Sequence, residues 1–288
     1  MDKISVVIPC YFNQGNIPPL AKALIENERA FIEIAEFEYV LVDDGSEDKT
    51  WDKIQDFKKG FPNKVIGLKL ARNAGSYSAI YAGMEKATGD CIVIMAADLQ
   101  DPPAHIKPMF EEWKKGNKLT LANRLNPEGT ASVYFGFLRR FGLKNLPKGG
   151  FDFCVFSNEF KKKLLEFQPK GANSLYYLLE LEENPVLVPY QKQARKTGKS
   201  RWTTWKKVAL ALCTIDRYSS IRLVHISVLM FLASAVFLLV GALFFASPQP
   251  ILIASGILSL IGGLFLEIVR AILRRKQQDL AIVIEHVI

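Results

Sequence analysis

The sequence has no charged residue and no histidine between Ile226 and Leu266, a run of 41 residues. The turn-forming stretch Ser247–Pro250 lies near the middle of this run. A helix of roughly 20 apolar residues spans the hydrocarbon core of a bilayer. The run therefore predicts two membrane-spanning helices joined by a tight turn, and it indicates that the preceding domain has a substrate or product in the membrane.

Cysteine is scarce, and the four residues present show no metal-ligand spacing: Cys10, Cys91, Cys154 and Cys213. Their scatter predicts buried packing in a reduced cytosolic domain. The apolar run from Lys3 to Ile8 is too short for a signal peptide. No Gly-x-Gly-x-x-Gly follows this run, which argues against a nicotinamide-dependent oxidoreductase.

Positive charge is concentrated just before the uncharged run. Residues 190–223 contain nine Lys or Arg and one acid, Asp216, a difference that equals the net charge of +8 for the whole chain. Such a segment favours an anionic lipid surface. It also follows the excess of positive charge on the cytoplasmic side of membrane proteins. Both interpretations predict a segment that lies beside the bilayer.

The second predicted span also ends in positive charge, which orients the hairpin. Arg270, Arg274, Arg275 and Lys276 follow the span, whereas the middle turn has no charge. Both termini and the domain before the hairpin are therefore predicted to be cytoplasmic, in a multi-pass protein of the plasma (inner) membrane. Glu267 lies three residues before Arg270 on the same helix face, and the two are predicted to pair.

The first half of the chain alternates short apolar runs with amphipathic stretches. This alternation predicts an α/β domain with a mostly parallel sheet covered on both faces. The predicted strands are Ile4–Pro9, Tyr39–Val42, Val65–Leu70, Cys91–Ala96, Leu119–Ala122, Gly150–Phe156 and Val186–Val188. The predicted helices are Ile17–Ile34, Lys49–Phe57, Ser76–Ala87, Pro103–Lys115 and Asn158–Phe167, with a loop and a helix between Glu128 and Gly150.

A further helix is predicted from Trp202 to Leu212. Trp202, Trp205 and Val208 share one face of it with other apolar residues, and lysines occupy the opposite face. This pattern is typical of a helix that lies in the membrane interface. A helix packed on the domain with an exposed basic edge is the alternative, and the position beside the spans favours the interfacial interpretation.

Polar residues follow the predicted strands at the edge where open α/β sheets bind ligands. Pro9 to Gln14 follow the first strand, and Asp43-Asp44-Gly45-Ser46 follow the second. Asp-Gly-Ser is also common in turns and helix caps, so the second motif alone has a structural alternative.

The fourth strand is followed by a more specific motif, from Met95 to Pro103. Asp98 comes directly after the buried strand and Gln100 lies two residues further on, an arrangement that can hold a divalent cation against diphosphate oxygens. Asp101 is predicted to cap the helix that begins at Pro102-Pro103. That structural role does not account for Asp98.

Together with Arg72-Asn73-Ala74-Gly75 and Ala87-Thr88-Gly89-Asp90, these motifs resemble the inverting glycosyltransferases of GT-A fold. Within this group they are most similar to the polyprenyl-phosphate glycosyltransferases. The resemblance continues through Gly150-Phe151-Asp152-Phe153 and the segment from Arg195 to Trp202 into the predicted hairpin. It implies a Rossmann-like GT-A catalytic domain, interfacial amphipathic helices and two transmembrane helices.

The resemblance also implies roles for individual residues. It implies a nucleotide pocket formed by Pro9, Tyr11, Asn13, one of Asp43 or Asp44, and Arg72, with a structural salt bridge as the alternative for Arg72. It implies that Asp98 and Gln100 ligate Mg²⁺ or Mn²⁺. It implies that Asp152 and Asp98 are catalytic, and Asp152 would either orient the acceptor or complete the coordination of the metal. It implies that Arg124, Arg195, Ser200 and Arg201 contact the acceptor phosphate, with a solvated surface position as the alternative for each cation.

Two positions depart from the family pattern. Relatives have Asp-x-Asp where this chain has Ala96-Ala97-Asp98, and Tyr-Asn-Glu where it has Tyr11 to Gln14. Both changes remove negative charge from the predicted donor pocket. Mg²⁺ keeps much of its water shell and is often held by one or two carboxylates together with substrate phosphates. We therefore expect metal dependence with a lowered affinity.

The implied reaction moves a sugar from a UDP- or GDP-sugar to undecaprenyl or dolichyl phosphate, with inversion. The expected partners are the nucleotide sugar, the polyprenyl phosphate, membrane lipids and further copies of the chain through its membrane helices, and no nucleic acid. The predicted domains are catalytic (1–190), a basic acceptor loop with interfacial helices (191–223), a transmembrane hairpin (224–273) and a cytoplasmic tail (274–288).

Three alternatives remain. Ala96 favours a non-catalytic membrane scaffold that retains the fold, but Asp98, Gln100 and Asp152 argue against it. A transferase that uses another lipid or a glycan acceptor is also compatible with the motifs. A processive polysaccharide synthase is disfavoured because Gly198 stands where the Gln-x-x-Arg-Trp motif needs glutamine.

Overall fold

A computed structural model describes residues 1–125, 131–167, 173–194, 204–220, 223–244, 250–278 and 283–288. Its described residues form two units, a sheet domain and a helical unit. The eight strands are β1 (Asp2–Cys10), β2 (Ala35–Asp43), β3 (Val65–Leu70), β4 (Cys91–Ile94), β5 (Leu119–Arg124), β6 (Cys154–Ser157), β7 (Val186–Tyr190) and β8 (Ile284–Val287).

These strands form one sheet in the order β7-β5-β6-β4-β1-β2-β3-β8. Strand β1 pairs in parallel with β2 and β4, β2 with β3, and β5 with β7. Strand β6 runs antiparallel to β4 and β5, and β8 runs antiparallel to β3. The predicted α/β domain with a mostly parallel sheet is confirmed.

Ten α-helices accompany the strands among the described residues. Seven belong to the sheet domain: α1 (Ile17–Glu28), α2 (Thr50–Gly60), α3 (Ser76–Lys86), α4 (Ile106–Lys114), α5 (Ala131–Phe141), α6 (Asn158–Phe167) and α7 (Leu178–Leu181). Three form the helical unit: α8 (Thr204–Tyr218), α9 (Leu223–Phe244) and α10 (Pro250–Gln278).

The first helix is shorter than predicted, and the second strand begins earlier. Helix α1 ends at Glu28 and a 3-10 turn follows over Arg29–Phe31, which places the Phe31 ring in the core. Ile32 then adopts an extended ψ of 129° and Glu33 a positive φ of 62°. These backbone angles end the helix, although the apolar periodicity continues to Ile34.

Strands β1 and β2 are covered on both faces, which accounts for their nearly continuous apolar sequences. On one face lies α3, where Gly83 allows a close approach because a Cβ there would lie 2.4 Å from Cγ1 of Val7. On the other face the rings of Phe31, Phe37 and Tyr39 pack in contact with one another. The two central strands are therefore fixed from both sides.

Glu38 is a buried acid at the start of the central strands, and four hydrogen bonds satisfy it. It accepts from Lys3 Nζ (2.7 Å), Ser5 Oγ (2.7 Å), the Thr88 backbone N–H (2.9 Å) and Thr88 Oγ1 (2.8 Å). Burial alone would raise the pKa of Glu38, but these hydrogen bonds outweigh burial and hold the pKa below its usual value. The motif Ala87 to Asp90 thus braces β1 and β2.

The eighth strand was not predicted, because its sequence was assigned to the tail 274–288. That segment contains the end of α10 and all of β8. Ile288 exchanges backbone hydrogen bonds with Gly67 at 2.9 and 3.0 Å. A Cβ at Gly67 would lie 2.7 Å from the Ile288 side chain, so the glycine makes room for the last residue of the chain. The end of the chain is therefore part of the sheet domain.

Helices α9 and α10 form an antiparallel pair joined by serine hydrogen bonds. Ser234 Oγ donates to the Gly256 carbonyl (2.8 Å), and Ser259 Oγ donates to the Met230 carbonyl (2.7 Å). Close packing through small residues and serine hydrogen bonds is typical of helices associated in lipid.

One helix of those described, α10, is long and apolar enough to cross a membrane. Its stretch Ala254–Ala271 has a mean hydropathy of 1.6, and 11% of it is buried, unlike the core helix of a soluble protein. Helix α9 contributes a shorter apolar stretch, Val224–Val240. The second span and the interfacial location of α8 remain predictions.

A charged cluster lies at one end of this helix pair. Arg270 contacts Glu267 at 3.5 Å, as predicted, and approaches Asp216 of α8 at 3.9 Å. Ser227 Oγ donates to Glu267 at 2.5 Å. The acid and base are therefore paired inside the helical unit.

We predict that Glu38→Gln lowers the thermal midpoint of the full-length protein at pH 7, because charge-assisted bonds of about 1.5–3 kcal/mol each are weakened. The carboxylate contributes stability above its unfolded pKa of about 4.3 and loses it as the pH falls through the lower folded pKa. The difference in melting midpoint between the variant and the parent should therefore become smaller as the pH falls. It can be followed by fluorescence-detected melting from pH 7 to pH 3.5.

The matched control is Asp56→Asn, since Asp56 forms exposed ion pairs with Lys53 and Lys59. Exposed pairs contribute little, so this variant should melt like the parent at every pH. A Glu38→Gln gap that stays constant with pH would contradict the assigned role of the carboxylate.

Candidate active site

The sheet topology brings the predicted site residues to one edge. Strands β1 to β5 and β7 all end there, and the antiparallel strand β6 begins there. The residues at these ends are Pro9, Tyr11, Asn13, Asp43, Asp44, Arg72, Asp98, Gln100, Arg124 and Asp152. In open α/β sheets this edge is where ligands bind.

The loop after β1 is shaped by side chains that accept backbone hydrogen bonds. Asn13 Oδ1 accepts from the Tyr11 N–H (2.7 Å), and Ser46 Oγ accepts from the Phe12 N–H (3.0 Å). Phe12 adopts a φ of 53°, uncommon for a residue with a side chain. Gln14 Oε1 accepts from the Lys49 N–H (3.1 Å), so the residue that departs from the family pattern joins this loop to the segment before α2.

Asp44 fastens the loop after β3 to the end of β2. Its carboxylate accepts from the Ala74 N–H (2.7 Å), the Gly75 N–H (3.0 Å) and Asn73 Nδ2 (2.8 Å). Gly45 has a φ of 66°, and a Cβ there would lie 2.5 Å from the Arg72 carbonyl carbon. The two loops therefore touch at a position that only glycine can occupy.

Asp43 differs from Asp44 in having unused hydrogen-bonding capacity among the described residues. Its Oδ1 accepts from the Ser46 N–H (3.1 Å), whereas its buried Oδ2 has no hydrogen-bond partner there. Burial raises the pKa of Asp43 above its usual value, and the bonds from Ser46 offset this only in part. Of the two adjacent acids, Asp43 is the one with an acceptor atom to spare for a ligand.

Arg72 lies beyond these two acids with an exposed side chain. Its backbone forms one side of the contact with Gly45. The alternatives of a nucleotide contact and a salt bridge both remain open for its guanidinium.

Asp98 and Gln100 are held in a tight turn after β4. The Gln100 N–H donates to Asp98 Oδ1 at 3.1 Å, and Leu99 between them has a φ of 58°. Non-glycine residues in this region often mark functional sites. Within the described ranges no group of three or more His, Cys, Asp or Glu could hold a metal. The turn offers two side chains with oxygen donors, the carboxylate of Asp98 and the amide of Gln100. Oxygen donors of this kind suit Mg²⁺ or Mn²⁺.

The turn is also attached to the segment that leads into the predicted acceptor loop. The Gln193 N–H donates to the Gln100 carbonyl (2.9 Å), and Gln100 Nε2 donates to the Gln193 carbonyl (3.3 Å). The acceptor-loop residues themselves, Arg195, Ser200 and Arg201, lie outside the described residues.

Arg124 and Asp152 form an ion pair at the ends of β5 and β6. An Arg124 terminal nitrogen contacts Asp152 Oδ2 at 2.8 Å, and Arg124 Nε donates to the Tyr190 hydroxyl at 3.2 Å. Burial lowers the pKa of Arg124, but Asp152, Tyr190 and Asp101 outweigh it and raise the pKa. The guanidinium therefore stays fully charged.

Tyr190 and Asp101 complete this network, and the sequence patterns assigned neither to the site. The Tyr190 hydroxyl donates to Asp101 Oδ1 at 2.6 Å. The predicted capping role of Asp101 is wrong: the following 3-10 helix has Pro102 at its N-cap and no side-chain cap. Burial raises the pKa of Asp101, and the bond from Tyr190 offsets this only in part. Strand β7 was predicted to end at Val188, two residues too early to include Tyr190.

The sequence is similar to known glycosyltransferases over most of its length. A model of glycosyl transferase family 2 matches residues 5–167. A bactoprenol glucosyl transferase of Shigella phage SfX is 28% identical over 244 residues, covering 82% of this chain and 79% of that protein. A dolichol-phosphate mannosyltransferase of Pyrococcus furiosus is 37% identical over 122 residues, covering 42% of this chain and 33% of that protein.

Among solved structures, the chain is similar to glucosyl-3-phosphoglycerate synthase from Mycobacterium tuberculosis, determined in complex with Mn²⁺, UDP and glucosyl-3-phosphoglycerate. The TM-score is 0.50 at 15% identity, and the match covers 75% of this chain and 78% of the synthase. At this identity the similarity concerns the fold, and it supports a GT-A-like arrangement of the sheet domain.

We predict that Asp44→Asn destabilises the protein by about 3 kcal/mol, because an amide nitrogen would face backbone donors and charge-assisted bonds would be lost. The measurement is the melting midpoint of the full-length protein at pH 7. Asp43→Asn is the matched control at the adjacent position. Its raised pKa means that the folded protein disfavours the ionised form, so the neutral isostere should melt at or above the parent midpoint. Equal destabilisation by the two variants would contradict the inference that Asp44, and not Asp43, holds the neighbouring loop in place.

Proposed function

The chain belongs to glycosyl transferase family 2, and we propose that it transfers a sugar from a UDP- or GDP-sugar to a polyprenyl phosphate, with inversion at the anomeric carbon. The observation that carries the proposal is the Arg124–Asp152 pair at the same sheet edge as Asp98 and Asp43. A guanidinium that could bind a phosphate thus lies at the same sheet edge as the candidate ligands of the metal ion. The similarity to a bactoprenol glucosyl transferase and a dolichol-phosphate mannosyltransferase supports the lipid acceptor.

The donor nucleotide would occupy the β1–β2–β3 end of the site. Asp43 Oδ2 would accept a hydrogen bond from the base or ribose, since this buried oxygen has no partner among the described residues. Pro9, Tyr11 and Arg72 would line the same pocket. Asn13 and Asp44 would act by holding the loops in place, because their side-chain oxygens already accept backbone hydrogen bonds.

Asp98 and Gln100 would hold Mg²⁺ or Mn²⁺ at the donor diphosphate. A bound divalent cation would neutralise the charge that develops on the departing nucleoside diphosphate. The protein supplies few donors here, so most of the coordination would come from diphosphate oxygens and water, as is usual for Mg²⁺.

The acceptor phosphate would bind at Arg124, together with Arg195, Ser200 and Arg201 of the acceptor loop. One phosphate oxygen forms the new bond to the anomeric carbon, and the bond from that carbon to the diphosphate oxygen breaks. A lipid phosphate with a second pKa near 6 is mostly ionised at pH 7, so this step requires no proton transfer to a strong base. The enzyme's contribution is positioning and charge neutralisation, with Asp152 orienting the acceptor beside Arg124.

We further propose that α9 and α10 form a membrane hairpin and that the sheet domain and both termini are cytoplasmic. Residues 284–287 pair with β3, so the chain returns to its own sheet after these helices. A chain that leaves and rejoins one domain must cross a bilayer an even number of times. Basic residues precede α9 and follow the apolar stretch of α10, whereas the stretch between the two helices has no charge, and this pattern also supports two crossings. Association of copies through these helices remains part of the proposal.

We predict lipid-linked sugar from detergent-purified protein supplied with undecaprenyl phosphate, Mg²⁺ or Mn²⁺ and a panel of labelled UDP- and GDP-sugars. EDTA and Asp98→Ala should each abolish or strongly reduce transfer, because both remove the cation. Asp52→Ala, which deletes an exposed carboxylate of α2, should leave transfer unchanged. Nucleotide binding without lipid product from any donor would contradict the proposed acceptor.

Restoring the missing acid should strengthen cation binding. We predict that Ala96→Asp raises Mn²⁺ affinity by about tenfold or more, because affinity depends on the number of charged ligands. The measurement is titration of bound Mn²⁺ by electron paramagnetic resonance in the presence of nucleoside diphosphate. Ala96→Asn is the uncharged control of equal size. An unchanged affinity in Ala96→Asp would show that this turn does not hold the cation.

A further inference from the structure

A buried tyrosine connects the two halves of the site. The Tyr190 hydroxyl donates to Asp101 Oδ1 (2.6 Å) and accepts from Arg124 Nε (3.2 Å). Asp101 follows the candidate cation ligands on the β4 side, and Arg124 lies on the acceptor side. Both Tyr190 and Asp101 are at most 2% exposed, so water does not compete with these bonds.

The orientation of the tyrosine ring is fixed by its surroundings. The ring lies edge-on to His105 at 5.4 Å and to Phe153 at 6.2 Å. In the β5–β7 ladder Tyr190 is paired with Arg124, and the Leu125 N–H donates to the Tyr190 carbonyl (3.1 Å). Backbone and side chain of Tyr190 therefore both hold the end of β5.

The Arg124 guanidinium has one buried partner, Tyr190, and one exposed partner, Asp152. Its Nε is bound to Tyr190, whereas its terminal nitrogen meets Asp152. The Arg124 side chain is 18% exposed and that of Asp152 is 53% exposed, so Arg124 is partly covered whereas Asp152 is open to solvent. Because a carboxylate and a phosphate bind the same guanidinium edge, an incoming phosphate can take the place of Asp152.

We propose that Tyr190 is a positioning residue: its hydroxyl, anchored by Asp101, fixes Arg124 Nε so that the terminal nitrogens face the acceptor phosphate, with Asp152 occupying that edge until the phosphate binds. The proposal rests on the proposed function, since it assumes that Arg124 contacts the acceptor. Without the hydroxyl, Asp101 and Arg124 each lose the partner that fixes their geometry.

The same region also joins the cation turn to the acceptor side. Gln100 and Gln193 are linked by two hydrogen bonds just beyond Tyr190 in the chain. Residues 100 and 101 are thus attached to the chain at residues 193 and 190. Through this double attachment, the turn that contains residues 100 and 101 would help to set the position of the Arg124 guanidinium.

Tyr190→Phe tests the proposal because it removes only the hydroxyl. In the transfer assay we expect kcat/KM for polyprenyl phosphate to fall by about tenfold to a hundredfold, the range expected when a positioning contact is lost. The KM for the nucleotide sugar should stay within about twofold, because the donor pocket is unchanged. On an Arg124→Ala background Tyr190→Phe should cause no further loss, since it acts through Arg124.

Tyr39→Phe is the matched control. Tyr39 is also fully buried, and its hydroxyl donates to a carboxylate, Glu28, at 2.9 Å, but it lies outside the site. It should melt as Tyr190→Phe does and transfer sugar like the parent. An equal loss of transfer in Tyr39→Phe, or a further loss in the Arg124→Ala background, would reduce Tyr190 to a structural role and overturn the proposal.

The transfer activity of the parent protein shows whether a negative result concerns the role of Tyr190 or the proposed function. If the parent transfers sugar and Tyr190→Phe matches it, the positioning role fails and the function stands. If the parent transfers no sugar, the function fails, and calorimetric titration with inorganic phosphate decides the positioning role. Weaker phosphate binding by Tyr190→Phe than by the parent supports it. Equal binding, or no binding by the parent, overturns it.

Discussion

The burial of β1 and β2 on both faces is the constraint on which the site depends. Side chains from α3 pack on one face and an aromatic cluster packs on the other, so these strands cannot shift or slide without disturbing both layers. Their ends are consequently fixed in space, and the loops that follow them begin from a rigid edge. The acids at that edge then hold the loops, as Asp44 does for residues 73–75. The positions of the site residues are therefore set by the packed core, and the loops contribute less to them.

Charge is distributed unevenly along this edge of the sheet, and the proposed function assigns the two halves to donor and acceptor. In the proposed donor half, Ala96 and Gln14 stand where the family pattern has acids, and Gln14 accepts a hydrogen bond from the Lys49 backbone N–H. A nucleoside diphosphate brings its own negative charge, so fewer acids reduce repulsion while they weaken cation binding. At the ends of β5 and β6, the charge of the partly exposed Arg124 is balanced by Asp152 and, through Tyr190, by Asp101. In the proposed function, this guanidinium would exchange the Asp152 carboxylate for a phosphate, so that its charge has a partner both before and after the phosphate binds.

The sequence predicted seven of the eight strands along the chain and the polar loops that follow them, because hydrophobic periodicity and strand-end polar residues are local signals. It could not choose between Asp43 and Asp44, since the choice depends on backbone donors from residues 74 and 75, which are near only in the fold. Tyr190 was missed for the same reason: its partner Asp101 lies 89 residues away. Helix α1 was extended too far because apolar spacing continues through a 3-10 turn, and β8 was missed because a short strand after a basic helix end looks like a tail.

After α10 the chain returns to the sheet through β8, beside one of the strands that lead into the candidate site. Strand β8 pairs with β3, the strand that leads into Arg72 and the loop held by Asp44. Lys69 of β3 and Glu285 of β8 add an ion pair at 3.2 Å, and the Ala71 N–H donates to the Val283 carbonyl (2.9 Å). The segment that follows α10 is thereby fixed to the strand that leads into the loop held by Asp44. Because β8 also covers the otherwise open edge of β3, it protects that edge from pairing with other chains. One short strand thus stabilises the sheet and joins the C-terminal segment to the strand that leads into this loop.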